Sequence, residues 1–100
     1  MIAAYITCKD KKEGKKIANA LIKKKLIACA NMFPINSLYM WKGKLQSDNE
    51  IVLLVKTNNK KFKEMEKEIK KLHSYEIPCI MKINANANKS FENWLNSQLK

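Results

Sequence analysis

The chain has no arginine. Lysine supplies all 20 basic residues, against 9 acidic ones, and the net charge is +11 over 100 residues. Proteins that read nucleic-acid sequence lean on arginine, because only a guanidinium offers a fixed planar fork of donors to phosphate and guanine. An acyl-phosphate hydrolase would call on the same fork for its phosphoryl group. Both classes are therefore set aside. The lysines fall mostly on the outer faces of predicted helices and read as a solvated surface. Glycine is also scarce, at 2 residues, too few for a Gly-rich phosphate loop or a nucleophile elbow. Histidine occurs once, at His73, so one chain cannot assemble a multi-histidine metal centre. The three cysteines, Cys8, Cys29 and Cys79, are odd in number, widely spaced and without a CxxC pair. That pattern argues against a disulfide framework and against structural zinc, and leaves small core residues. No apolar run approaches the roughly 20 residues of a membrane span. The segment Ile2-Ala3-Ala4-Tyr5-Ile6 lacks the basic flank of a signal peptide. The reading is a single cytoplasmic domain over residues 1–100, with no membrane partner and no specific nucleic acid.

What is present is a set of strands that are apolar on both faces. Successive strand residues point to opposite sides of a sheet. In the segment after the Gly43 turn, Ile51, Leu53 and Val55 share the evident core face, yet Val52 and Leu54 lie with Glu50 and Lys56 on the other. In the preceding strand Leu38 and Met40 oppose Ser37, Tyr39 and Trp41. In the first, Ile2, Ala4 and Ile6 oppose Ala3, Tyr5 and Thr7. A sheet with one face in water alternates cleanly, whereas one covered on both faces does not. The chain is too short to cover both faces with its own helices, so a partner subunit is the expected second cover.

Strand and helix signals alternate along the chain. Residues 2–8 read as a buried strand. Asp10-Lys11-Lys12-Glu13 reads as a capping box that starts a helix with the stripe Ile17, Ala18, Leu21 and Ile22. Residues 28–45 read as a long strand bent or interrupted at Pro34, followed by a turn at Lys42-Gly43-Lys44 and a return strand over 47–57. Asn58 or Asn59 is placed to cap a second helix whose stripe is Phe62, Met65, Ile69 and Leu72. Pro78 leads into a strand over 79–84, and Ser90 is placed to cap a last helix carrying Phe91, Trp94, Leu95 and Leu99. The order β-α-β-β-α-β-α contains two βαβ halves. It predicts an α+β ferredoxin-like sandwich with an additional C-terminal helix. Right-handed crossovers put both main helices on one face of the sheet and leave the other bare.

The candidate functional groups are few. His73 ends the second helix, where an imidazole favours the helix dipole and where it could also ligate a metal. Glu50 and Lys56 share one strand face but stand six residues, or roughly 20 Å, apart. Each therefore needs a partner from another strand or chain. Tyr39 and Trp41 are adjacent on one face and suit an interface or a stacked ligand. Glu50 with His73 as an acid–base pair is the remaining, enzymatic option.

Taken in order, Ala28-Cys29-Ala30-Asn31, Ser37-x-Tyr39-x-Trp41-x-Gly43, Glu50, Lys56-Thr57, His73-x-Tyr75-x-x-Pro78 and Phe91-x-x-Trp94 resemble the CutA divalent-cation tolerance family nearly end to end. The resemblance implies a homotrimer without catalytic activity, linked to copper and other divalent metals and similar in assembly to PII signalling trimers. It places Tyr39, Trp41, Glu50, Lys56 and Tyr75 in clefts between subunits and His73 at a metal site. Ser74 stands where the family usually has proline, and Ala87 where it often has glycine. Ile6 and Leu72 stand where metal-binding members carry a cysteine and a histidine. The implied cation binding, by copper or another divalent ion, is therefore weak and no cofactor is required. The alternative within the same resemblance is a PII-like signalling trimer that takes a small anionic ligand in its clefts.

Overall fold

A computed structural model describes residues 1–100. The chain runs β1 (Ile2–Cys8), α1 (Lys11–Lys23), β2 (Cys29–Trp41), β3 (Lys44–Thr57), α2 (Phe62–Leu72), β4 (Ile80–Asn84) and α3 (Lys89–Gln98). The four strands form one antiparallel sheet in the order β2-β3-β1-β4. This is the α+β, ferredoxin-like arrangement that the element order predicts. No helix is long and apolar enough to cross a membrane.

One core cluster joins α1 and α2 to one face of the sheet. Ile2, Ala4, Ile6, Cys8, Leu53 and Val55 meet Ile17, Leu21, Met65 and Ile69 there. Ile22, expected in the α1 stripe, lies at its margin and is 45% exposed. The Asp10 side chain caps α1 by accepting the Glu13 N–H at 2.8 Å, as the capping box requires. Gly14 sits so close to β2 that a Cβ would stand 3.2 Å from Met32 Sδ, which explains a weak helix former inside α1.

Several local expectations need correction. Pro34 does not interrupt β2: it stays in register opposite Ile51. β2 is an edge strand, so a residue without an N–H can be accommodated at its open side. The N-cap of α2 is Lys61, with no side-chain cap. Asn58 instead accepts the Lys61 N–H at 3.1 Å, closing the turn before the helix. The N-cap of α3 is Asn88 rather than Ser90. The second face of the sheet is not wholly bare either. α3 packs against β3, and Leu95 and Leu99 are buried outside the main core. Helix α3 is tied to the Met1 end of the sheet by the terminal amine, 3.2 Å from Glu92 Oε1, and by Asn58 Nδ2 on Asn96 Oδ1 at 3.2 Å.

At the opposite end β2 and β3 outrun the sheet. β1 pairs with β3 only as far as Cys8 opposite Ile51, whereas β2 and β3 continue together to Trp41 opposite Lys44. The result is a two-stranded arm, and the molecule measures 45 × 25 × 21 Å. Its two-residue turn has Lys42 at φ 50° and Gly43 at φ 78°. Two left-handed residues twist the hairpin in the sense of its strands, which is the preferred tight connection.

Candidate functional site

Two polar constellations lie where the arm leaves the sheet. The first is a buried latch. β4 pairs with β1 only to Ile6 opposite Ile80, so the Thr7 carbonyl has no partner from β4. The ring of His73, the C-cap of α2, fills the gap: its Nε2 lies 2.8 Å from that carbonyl oxygen. A carbonyl only accepts, so the proton is on Nε2 and Nδ1 is an acceptor. Nδ1 takes the Tyr75 N–H at 3.1 Å. Glu13 closes the latch from α1. Its Oε1 accepts the Lys9 N–H at 3.0 Å and its Oε2 accepts the Ser74 N–H at 2.9 Å. Burial alone would raise the Glu13 pKa, but the Ser74 and Lys9 hydrogen bonds outweigh it and hold the carboxyl below its ordinary value. Beside them Cys8 is buried, and desolvation, helped by the Glu13 charge, pushes its thiol up to about 12.

Cys8, Glu13 and His73 bring one sulfur, one oxygen and one nitrogen within 4.8 Å of one another. The fold thus carries a cysteine to the end of α2, which spacing alone does not reveal. As a donor set for copper or another divalent cation the cluster fits poorly. Both His73 nitrogens and both Glu13 oxygens already hold backbone groups. A metal would have to displace the Tyr75 or Ser74 amide and leave it unpaired, which costs about 1–3 kcal/mol for each buried group.

The second constellation is an open cleft of about 490 Å³ below the arm, lined by Tyr39, Trp41, Glu50, Tyr75 and Cys79 among others. Tyr39 and Trp41 come from β2, Glu50 from β3, and the remainder from the segment that follows His73. Paired strand positions share a face, so the register puts Tyr39, Trp41 and Glu50 on one side of the arm. Tyr75 donates its hydroxyl to Glu50 Oε2 at 2.5 Å. Burial, then that hydrogen bond and the Glu50 charge, drives the Tyr75 pKa far above its ordinary value, so the phenol keeps its proton. Tyr39 donates to Asp48 Oδ2 at 2.5 Å. Glu50 is only 7% exposed, and its second oxygen has no protein partner.

Four of the five residues expected in the cleft therefore meet there within one subunit. Lys56 does not: it lies opposite Ala3 and Cys29, toward the other end of β3, and donates to Asn31. His73 also stays out of the cleft. Its side chain is 0% exposed, and the Tyr75 ring, 4.7 Å away between centroids, is the group that reaches Glu50. The acid–base pair that the sequence allows is not formed. Sequence reasoning misses Glu13 as a cross-link between α1 and the 73–75 segment, since a capping box already explains it. It also misses Cys79, a free exposed thiol in the cleft wall.

The family model of the CutA1 divalent ion tolerance protein matches residues 2–98. The chain belongs to the CutA1 divalent ion tolerance family. It is 40% identical to the divalent-cation tolerance protein CutA of Archaeoglobus fulgidus, over 96% of this chain and 95% of the relative. The solved structure of a CutA from that organism, described as a periplasmic divalent cation tolerance protein, superposes with a TM-score of 0.96 at 39% identity and covers 100% of both chains. An apo-form CutA from a Nostoc species, described as PII-like, superposes with a TM-score of 0.92 at 25% identity over 100% of this chain and 98% of the other. CutA proteins are thus the relatives in sequence and in fold alike, and nothing in the geometry or in these relatives indicates catalysis.

Proposed function

We propose that the protein is a non-enzymatic cytoplasmic homotrimer that serves divalent metal ion tolerance or response, with the cleft below the arm as its working surface. The observation that carries this reading is the arm. Leu38, Met40 and Leu45 share one of its faces and are 70%, 62% and 71% exposed. Tyr39 and Trp41 lie on the other face, 40% and 39% exposed. A two-stranded ribbon with two apolar faces is marginal in water on its own, and contiguous exposed apolar surface marks an interaction site. Closed symmetric assembly of identical chains is the common way to cover such a surface. The family resemblance supports three copies. Light scattering at micromolar concentration is expected to give three times the 11.6 kDa chain mass. A monomer would sink the proposal.

A second reading, favoured by the likeness to the PII-like Nostoc protein, is a signalling trimer that takes a small anion between subunits. In that reading Lys56 reaches the cleft from a neighbouring subunit, since its own subunit holds it elsewhere. In either reading a divalent cation is not a required cofactor. Copper binding at His73 is weak, because it competes with the Tyr75 amide for Nδ1.

A further inference from the structure

The charge in the cleft has one sign. Glu50 and Glu76 line it, and no lysine or histidine does, in a chain with 20 lysines. The rest of the wall includes three aromatic rings, Tyr39, Trp41 and Tyr75, and the aliphatic Ile77. Glu50 is more than nine-tenths buried, yet one of its oxygens lacks a protein partner. No buried side-chain oxygen is left unpaired, so that oxygen opens to solvent, and a charged acceptor at the cleft surface takes whatever donor enters. The Trp41 ring is competent toward cations: the Lys42 ammonium stands 5.8 Å from its centroid, within cation–π range, without lining the cleft.

We infer that the cleft of each subunit selects a small organic cation, a primary or substituted alkylammonium, whose charge faces Glu50 and whose carbon body lies against the aromatic wall. This deepens the cleft reading above and rests on it. The lining chemistry separates this ligand from its competitors. A carboxylate or phosphate would face two like charges with no cation of the same subunit in the wall. A hard divalent ion such as Mg²⁺ seeks about six oxygen ligands, whereas this wall offers two carboxylates and a few hydroxyls, of which those of Tyr39 and Tyr75 already donate to Asp48 and Glu50. An ammonium with a short apolar tail matches both halves of the wall: charge-assisted hydrogen bonding at Glu50 and burial against the rings.

The test is a titration followed by the NMR shift of the Trp41 indole N–H, which registers weak ligands. The probes are n-propylammonium, tetramethylammonium, propionate, propan-1-ol and Mg²⁺, at constant ionic strength. Saturable binding of n-propylammonium is expected, with no saturation by propionate or Mg²⁺. Glu50→Gln should weaken it by about tenfold or more, the loss of one hydrogen bond to a charged group. Glu76→Gln, at an exposed position, keeps the test valid should Glu50→Gln misfold, and should weaken binding severalfold. Propionate or Mg²⁺ binding as tightly as the ammonium would overturn the inference. So would ammonium binding untouched by both substitutions, or no ammonium binding at all. Light scattering on the same samples separates the two proposals. A monomer that still binds n-propylammonium through Glu50 would sink the trimer and keep the ligand class, whereas a trimer that binds only propionate would do the reverse.

Discussion

The latch around His73 and the cleft around Glu50 share a wall, where Thr7, Ser74 and Tyr75 take part in both, and differ in almost everything else. In the latch the carboxylate and imidazole acceptors are all used: His73 and Glu13 hold backbone groups of Thr7, Lys9, Ser74 and Tyr75. In the cleft Glu50 has one oxygen on the Tyr75 hydroxyl and the other free. Fully satisfied buried polar groups specify one arrangement of the chain, whereas an acceptor that opens to solvent is available to a ligand. The same family motif, His73-x-Tyr75, thus joins two tasks. The imidazole fixes the backbone, and the phenol two residues later enters the cleft.

The largest effect expected of this division is on His73. His73→Ala would leave the Thr7 carbonyl and the Tyr75 N–H without partners and open a cavity in the latch. Two orphaned groups and a lost ring together should cost about 3 kcal/mol, read as a lower urea midpoint at fixed protein concentration. The cleft should suffer with it, because Tyr75 loses its anchor. Copper titration of the same pair of proteins should show weak binding reduced in the variant. An unchanged urea midpoint would mean that the latch is not a structural unit, and the contrast with the cleft would fail.

Local grammar made much of this fold legible. The alternation in β1, the Asp10–Glu13 box and the Lys42-Gly43 turn depend on residues within a few positions of one another, and all three stand where the pattern puts them. So does the apolar second side of the arm, since the alternation of Leu38 to Trp41 is a local property. The latch was not legible in the same way. His73 reads from its neighbours as a helix-end imidazole facing a dipole, and the group that claims its ring is the Thr7 carbonyl, 66 positions away. Backbone acceptors leave no mark in sequence. The position of α3 is a similar case: Leu95 and Leu99 announce a buried stripe, but only the register of β3 and the Met1–Glu92 contact say where it docks.

A smaller and more selective effect should come from pH. The Glu13 carboxyl is held below its ordinary value in the fold, so the unfolded chain binds its proton more readily than the native one. Its contribution to stability is therefore complete above the ordinary glutamate value of 4.5 and is lost as pH falls through the lowered native value. Glu13→Gln keeps the shape but loses the charge, and its amide nitrogen cannot accept the N–H that one carboxylate oxygen now takes. The variant should be less stable than wild type at neutral pH, and the gap should narrow in acid. Urea melts at several pH values below 6 would measure it. A gap that stays constant with pH would show that the Glu13 charge is not what holds the latch, and would place its role in shape alone.

The smallest expected change in stability belongs to the arm. Tyr39→Phe removes one hydroxyl, whose hydrogen bond to Asp48 lies on the exposed hairpin. Water can replace that bond, so the urea midpoint is expected to stay where it is. The Asp48 hydrogen bond also raises the Tyr39 pKa, so the phenol is a fixed donor at neutral pH and the ring is held over the cleft in one orientation. The variant should therefore leave folding alone and weaken n-propylammonium binding slightly, through a ring that is less well positioned. Set beside His73→Ala, it divides the two regions by readout: the latch variant moves stability first and binding as a consequence, the arm variant moves binding alone. A Tyr39→Phe protein that melts early would instead tie the arm into the core of the assembly. The hydroxyl pair on the hairpin would then belong with the latch, among the groups that hold the subunit together.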